Sequence, residues 1–372
     1  MLTPKTKRNI SRIVPFGVIW LFLGWFILFV QETATQGENI NPTSTITLTP
    51  IVFVFASLAV TIVGLVVGSI EVLWLGNLFG KKSFSLKIAY KVVFYSLFLF
   101  GVILITYPIA AGLELHVSPF DRLVFEKFSN FLASMDFVST MVSVSFSLFI
   151  SLFYSEISEN VGHGVLMNFF TGKYHRPKEE KRIFLFSDMK SSTAIAEQMG
   201  HIIYFELLKE YYSDFSDAII RYSGEVYQYI GDEIVISWKY EDGIKNNNCI
   251  NCFFAMKEDL DKRTDWYNTT FGVAPTFKAG MHVGEVTTGE IGALKKEIIF
   301  TGDVLNTTAR IQGLCNTYDV DVLISEDLLT ALQSGSKFQT ESLGIAKLKG
   351  KEEEIALYTV HRKGAATKNN QV

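Results

Sequence analysis

Four long apolar stretches fall within the first 155 residues of this 372-residue chain, and nothing else in the sequence restricts its architecture as much. They run from Ile13 to Val30, Ile51 to Leu75, Val92 to Gly112 and Phe131 to Tyr154. At about 1.5 Å per helical residue, the shortest, 18 residues long, reaches roughly 27 Å, which is enough for the hydrocarbon core of a bilayer. One such stretch could be a buried helix of a soluble core. Four of them are read as a membrane domain of four helices occupying residues 1–154. A signal peptide is the alternative for the first, but its apolar run is too long and no A-x-A site follows it.

Charge divides the chain at the same place. Residues 1–155 carry ten Lys and Arg against seven Asp and Glu, whereas residues 156–372 carry twenty-four against thirty-one. A hydrophobic share of 48% with 19% charged residues excludes a disordered or fibrous chain. A net charge of −4 excludes a nucleic-acid binder that relies on a basic surface.

Lys5, Lys7, Arg8 and Arg12 precede the first stretch, and Lys81, Lys82, Lys87 and Lys91 are assigned to the second loop. The other two loops hold only Arg122 and Lys127. By the positive-inside rule this places both termini and everything beyond residue 155 in the cytoplasm of a multi-pass inner (plasma) membrane protein. The stretches contain no His to hold a haem and no mid-span Lys for a retinal Schiff base. Asp136 is read as a snorkelling acid near a span end. The outer loops are too short for a folded sensor domain, so an upstream signal would be a lipid, an intramembrane ligand or a protein.

Residues 155–181 read as a connector, with Pro177 and the charged run Lys178-Glu-Glu-Lys-Arg182 as an exposed lead-in. Beyond it, Arg182 to Asp188 is a short apolar run typical of a strand buried on both faces. Glu225 to Ile230 and Glu233 to Trp238 flank Gly231-Asp232 in a hairpin pattern. Asn247 to Asn268 reads as one helix and Val304 to Asn316 as another. Thr276 to Val286, Glu297 to Thr301, Val320 to Ser325 and Ile345 to Val360 read as strands. The alternation predicts an α/β or α+β domain over residues 182–363, with a loose tail at 364–372.

Within that domain two acids follow strand patterns, Asp188 after the first and Asp232 in the hairpin turn. If their strands are neighbours, both would face one spot, where paired oxygens suit Mg²⁺ or Mn²⁺ on a nucleotide triphosphate. Ser191, Ser192 and Thr193 open a helix whose backbone N–H groups could hold phosphate oxygens. Asn306 and Arg310 are spaced i, i+4 and so share a helix face, where the Arg could neutralise charge on a transferring phosphoryl group. Each feature has an ordinary structural explanation when taken alone. Cys249 and Cys252 form a CxxC spacing, but no second Cys or His pair accompanies them, and they read as buried thiols.

The runs Phe186-Ser-Asp-Met-Lys-Ser-Ser-Thr193, Tyr229-Ile-Gly-Asp-Glu233, Thr301-Gly-Asp-Val-Leu-Asn-Thr-Thr-Ala-Arg310 and Leu348-Lys-Gly-Lys351 resemble, in order, the successive motifs of class III nucleotidyl cyclases. The resemblance covers roughly residues 180–362. It implies an α+β catalytic domain, a palm-like mixed sheet flanked by helices, working as a homodimer with active sites at the interface. Asp188, Asp232 and the Met189 carbonyl would hold two Mg²⁺ or Mn²⁺ ions. From the other subunit, Asn306 would orient the ribose, Arg310 would stabilise the transition state and Lys349 would hold the triphosphate. The implied reaction is attack of the ribose 3′-oxygen on the α-phosphorus with release of pyrophosphate. It requires no covalent protein nucleophile.

The two base-reading positions depart from the family pattern. Gln228 stands where adenylate cyclases carry Lys and guanylate cyclases Glu, and Ile299 stands where a polar residue is usual. A Gln amide can serve adenine or guanine. ATP is the expected substrate, with GTP as the alternative and a catalytically dead, dimerising receptor as another. Tyr229 to Glu233 is also similar to the hairpin of diguanylate cyclases, but Ile230 replaces its first glycine and the helix of Asn306 and Arg310 would have no role.

Overall fold

The first three apolar stretches lie in α1 (Pro4–Thr35), in α2 (Pro50–Ile70) continued by a π-helical turn (Glu71–Leu75) and in α3 (Phe84–Leu115), and the fourth is divided between the short α4 (Arg122–Leu132) and α5 (Met135–Val161). The computed structural model describes residues 2–75, 84–332, 338–348 and 354–363. They form two units, Thr6–Met167 and Met1–Lys5 with Asn168–Val372. Among the described residues four helices are long and apolar enough to cross a membrane.

The sequence reading of the first unit needs four corrections. The stretch Phe131–Tyr154 is interrupted: Phe131 and Leu132 end α4, and α5 begins at Met135 because the Ser134 hydroxyl caps it by accepting from the Asp136 N–H. α4 itself lies in what was read as a loop. It buries Val124, Lys127 and Phe131, and Lys127 pairs with Glu114 of α3 at 2.5 Å. Asp136 accepts a hydrogen bond from the Ser44 hydroxyl at 2.6 Å, so it is tied to a neighbouring loop rather than snorkelling.

The fourth correction is that Lys87 and Lys91 belong to α3, not to a loop. Lys91 is 4% exposed and pairs with Glu71 of the π-helical turn, itself 3% exposed. The Tyr95 hydroxyl donates to the other Glu71 oxygen at 3.1 Å, and Lys87 reaches Glu156 of α5 at 3.3 Å. Arg12 of α1 pairs with Glu159 of α5. The charges of Glu71, Lys91 and Glu156, buried this deeply, persist because each has a partner, and a local pattern shows only one member of each pair.

In the second unit the chain passes from α6 (His163–Thr171) into β1 (Lys178–Met189), α7 (Ser192–Met199), α8 (His201–Arg221), β2 (Glu225–Ile230) and β3 (Glu233–Lys239). Next come α9 (Tyr240–Ile244), α10 (Asn248–Asp261), α11 (Thr264–Phe271), β4 (Phe277–Ile291), β5 (Glu297–Thr301) and α12 (Asp303–Gly313). The chain ends with β6 (Val322–Ser325), α13 (Glu326–Ala331), β7 (Phe338–Lys347) and β8 (Glu354–Arg362). The described strands form a mixed eight-stranded sheet in the order β2-β3-β1-β4-β6-β8-β7, with β5 paired to β4. The β4–β6 pairing is parallel and the others are antiparallel.

Two sequence expectations change here. The charged run from Lys178 is exposed at Lys178, Glu179 and Lys181 as expected, but it is already part of β1, aligned against Thr288 of β4, rather than a lead-in to it. The single helix expected over Asn247–Asn268 is two, α10 and α11, separated at Lys262 and Arg263. The tail at 364–372 lies outside the described residues.

Side chains of β1 alternate between two cores, as strand geometry requires. Ile183, Leu185 and Met189 pack with residues of α8, α10 and α11, among them the fully buried Cys249 and Cys252. Phe184 and Phe186 face the other way and pack with Val304 of α12. Arg182, 2% exposed, sits at the far end of β1. It bonds Glu180 at 3.0 Å, Glu225 at 2.9 Å and the Ser237 hydroxyl at 2.8 Å, which ties β1, β2 and β3 together.

The buried Glu71–Lys91 pair yields a stability prediction for the full chain in detergent. Glu71→Leu leaves the buried Lys91 ammonium with Glu156 at 4.0 Å as its remaining carboxylate and should cost about 3 kcal/mol, whereas Glu71→Leu with Lys91→Met removes both charges and should cost far less. Thermal unfolding of the three proteins checks this, and equal midpoints for wild type and Glu71→Leu would contradict it.

Candidate active site

The face of β1 that carries Phe184 and Phe186 carries Asp188 next, on the side of the sheet covered by α12. The β1–β3 register sets Asp188 opposite Glu233, so Asp232, one residue earlier, lies in the hairpin turn beside it. Gly231 takes φ +63° in that turn, a conformation glycine adopts without strain. From α8 the Tyr212 hydroxyl donates to the Gly231 carbonyl at 2.8 Å and contacts the Glu233 carbonyl at 3.3 Å, pinning the turn.

The electrostatics of this corner are unfavourable. Burial raises the Asp188 carboxyl above its ordinary range, and the adjacent Asp232 raises it further. Glu233 is pushed up to about 6 by burial and then by the charges of Asp188 and Asp232. Asp232 Oδ2 is buried without a hydrogen-bond partner among the described residues. Two cationic or polar groups offset the strain in part. Lys278 Nζ lies 3.5 Å from Asp188 Oδ2, and Gln312 Nε2 lies 3.4 Å from the same oxygen.

The chain after Asp188 is held by polar anchors. The Lys190 N–H donates to the Thr276 carbonyl at 2.8 Å, and Lys190 Nζ meets Asp321 at 2.5 Å. Burial would raise Asp321, but hydrogen bonds from Lys190 and Lys257 outweigh it and hold the carboxylate below its usual range. Ser191 then takes a left-handed conformation and opens α7, with Ser192 and Thr193 in its first turn.

The other expected residues lie on different elements. Asn306 and Arg310 share one side of α12, away from the buried Val304, Thr307, Thr308 and Ile311. Among the described residues neither has a side-chain hydrogen bond or ion pair, and neither reaches the carboxylates of its own chain. Gln228 is exposed on β2 and Ile299 half-buried on β5. The rings of their neighbours Tyr227 and Phe300 meet at a 53° tilt with centres 4.7 Å apart, so the two segments adjoin. Lys349 lies outside the described residues.

Sequence reasoning missed Tyr212, Lys278 and Gln312. A lone Lys in the otherwise apolar start of β4 was a usable signal for Lys278. Tyr212 and Gln312 matter only through contacts made across the fold, which no local pattern announces.

The donor set fits a hard divalent cation. Two adjacent carboxylates, one with an orphaned buried oxygen, are poorly compensated without a positive charge between them. Among the described residues no group of three or more His, Cys, Asp or Glu could enclose a metal. A pair of carboxylates leaves coordination positions for substrate oxygens, as Mg²⁺ and Mn²⁺ sites on nucleotides do.

Comparison with known proteins identifies the family. The sequence model described as the adenylate and guanylate cyclase catalytic domain matches residues 175–362. Adenylate cyclase 2 of Rhizobium meliloti (strain 1021) is 33% identical over 251 residues, 68% of this chain and 68% of that protein. Adenylate cyclase of Anabaena cylindrica is 31% identical over 183 residues, 47% of this chain but only 36% of its own length. Among solved structures, adenylyl cyclase CyaB from P. aeruginosa is similar over 50% of this chain and 96% of its own, with 18% identity and a TM-score of 0.45. With its paired acids, pinned turn and outward Asn/Arg face, this chain belongs to the class III cyclases, the family of adenylate and guanylate cyclase catalytic domains.

Proposed function

We propose that the protein is a membrane-bound adenylate cyclase that converts ATP to 3′,5′-cyclic AMP and pyrophosphate at the interface of a homodimer. The observation that carries this reading is the division of labour on one chain. Among the described residues, Asp188 and Asp232 meet with one buried oxygen unsatisfied, while Asn306 and Arg310 face away without a partner. A second copy would bring the missing half to each carboxylate pair. The relatives named above are both adenylate cyclases, which supports ATP as substrate.

In this reading Asp188, Asp232 and the Met189 carbonyl hold two Mg²⁺ or Mn²⁺ ions. When bound, the ions supply Lewis acidity at the ribose 3′-hydroxyl and neutralise triphosphate charge. The protein's own contribution is positioning and charge. Backbone N–H groups of Ser191, Ser192 and Thr193 receive phosphate oxygens. Lys278, already beside Asp188, adds a positive charge on that side, and Lys349 would add another. Asn306 of one subunit orients the ribose and Arg310 stabilises charge on the α-phosphoryl group as the 3′-oxygen attacks and the bond to pyrophosphate breaks. Gln228 donates to the base, with Ile299 lining the same pocket.

Residues 1–154 would then anchor the enzyme through four spans in the inner (plasma) membrane, with residues 155–181 as transducing connector and residues 182–363 in the cytoplasm with both termini. The Lys and Arg bias supports this orientation, since Lys87 and Lys91 remain near the start of α3.

Three outcomes are expected. Activity of the purified full chain should require Mg²⁺ or Mn²⁺ and fall by at least about 10²-fold in Asp188→Ala and in Asp232→Ala, and turnover close to wild type in either would remove the metal assignment. Asp232→Ala and Arg310→Ala, each inactive alone, should regain activity as tandem-purified heterodimers, because one interface site then has a complete set. Inactive heterodimers would mean that sites are not shared. In a nucleotide panel, Gln228→Lys should keep or raise preference for ATP and Gln228→Glu should shift it toward GTP. The change in relative kcat/KM should be about 1–2 kcal/mol. A wild-type preference for GTP would make the enzyme a guanylate cyclase, and a ratio unmoved by both variants would take Gln228 out of base reading.

A further inference from the structure

Arg310 and Gln312 are two residues apart on α12, so their side chains leave the helix about 200° apart, on opposite sides. Arg310 lies on the exposed side, without a side-chain partner among the described residues. Gln312 lies on the side against the sheet, is 7% exposed, and directs its amide N–H at Asp188 Oδ2, 3.4 Å away. The helix reaches this depth because Gly280 of β4 has no side chain. A Cβ there would stand 2.4 Å from the Gln312 backbone nitrogen and 2.6 Å from its Cα.

A primary amide suits this position chemically. It donates to a carboxylate without adding a third negative charge beside Asp188 and Asp232. An apolar side chain would leave Oδ2 with Lys278 alone, and Lys278 is shared, since its Nζ also donates to Asn316 at 3.1 Å. A carboxylate fixed at one oxygen has its plane fixed, and such supporting hydrogen bonds set how tightly a ligand set grips a metal.

We propose that Gln312 is a positioning residue for Asp188 of its own chain, on the same helix whose opposite face serves the partner's site. The second half of this statement rests on the shared-site reading above, and the first half does not. Each α12 of the dimer therefore belongs to both active sites, inward through Gln312 and outward through Arg310. Loss of the Gln312 amide weakens the metal site of the chain that carries it and leaves its Arg310 competent.

The test uses the full chain in lipid nanodiscs, with Gln312→Met to remove the donor at nearly constant volume and Gln312→Leu as a second variant should the first fold poorly. The Mn²⁺ concentration for half-maximal activity should rise on the order of ten-fold or more. Mn²⁺ bound by the metal-free protein, counted from the loss of the free-ion EPR signal, should weaken in parallel. Heterodimers then assign the side. Gln312→Met paired with Arg310→Ala contains one site with intact Asp188, Gln312 and Arg310, and should recover the wild-type Mn²⁺ requirement. Gln312→Met paired with Asp188→Ala retains only the Asp188 that lacks its amide, and should keep the raised requirement.

Unchanged Mn²⁺ binding and requirement in the Gln312→Met homodimer would overturn the proposal. So would failure of the Gln312→Met/Arg310→Ala heterodimer where the Asp232→Ala/Arg310→Ala control succeeds, because Gln312 would then act on the whole helix. If the control itself stays inactive, the shared site falls, and the Mn²⁺ count alone decides the role of Gln312.

Discussion

Strand β1 is the constraint on which the catalytic unit depends. It pairs with β3 from Arg182 to Asp188 and with β4 from Lys178 to Met189, so it cannot shift by one residue without breaking two ladders. A one-residue slip would also turn Phe184, Phe186 and Asp188 to the face now filled by Ile183, Leu185 and Met189. The buried guanidinium of Arg182 reinforces the register, because only one alignment gives it Glu180, Glu225 and Ser237 together. At one end of the strand a buried charge is fully satisfied. At the other, a carboxylate is delivered to a place where it is not.

Buried charge has opposite meanings in the two units. In the helical unit the buried Lys91 and Glu71 are matched to each other and the buried Glu156 to Lys87, and the matching makes burial tolerable. In the catalytic unit Asp188 and Asp232 are brought side by side, with Asp188 displaced toward its neutral form by burial and by its neighbour. A fold accepts such a penalty where an added ligand removes it, which is why perturbed acids concentrate at working sites.

Much of this was legible in the chain itself, for identifiable reasons. The apolar stretches, the buried β1 run, the Gly-Asp hairpin and the helix carrying Asn306 and Arg310 are local patterns whose period or turn chemistry is written in a few consecutive residues. α4 was hidden because an amphipathic segment between two spans resembles a polar loop. The start of β1 at Lys178 was hidden because charged residues are uncommon in a central strand, and their tolerance depends on Tyr174, Glu225 and Ser237, which are distant or unmarked. Lys91 read as a loop residue for lack of any hint that Glu71 awaited it. Lys278 and Gln312 converge on Asp188 through the β4 register and the seating of α12, and both arise only when the sheet is assembled.

Gly280 carries no functional group, yet it sets the height of α12 above the sheet. Because Asn306, Arg310 and Gln312 ride on one rigid helix, a methyl group at position 280 would displace all of them in concert. A survey of damaging substitutions would therefore place this glycine beside the metal acids in severity, although its contribution is only an absence of volume. Homologues that tolerate alanine at this position would need a compensating retreat of the backbone around residue 312, so the two positions should vary together rather than singly.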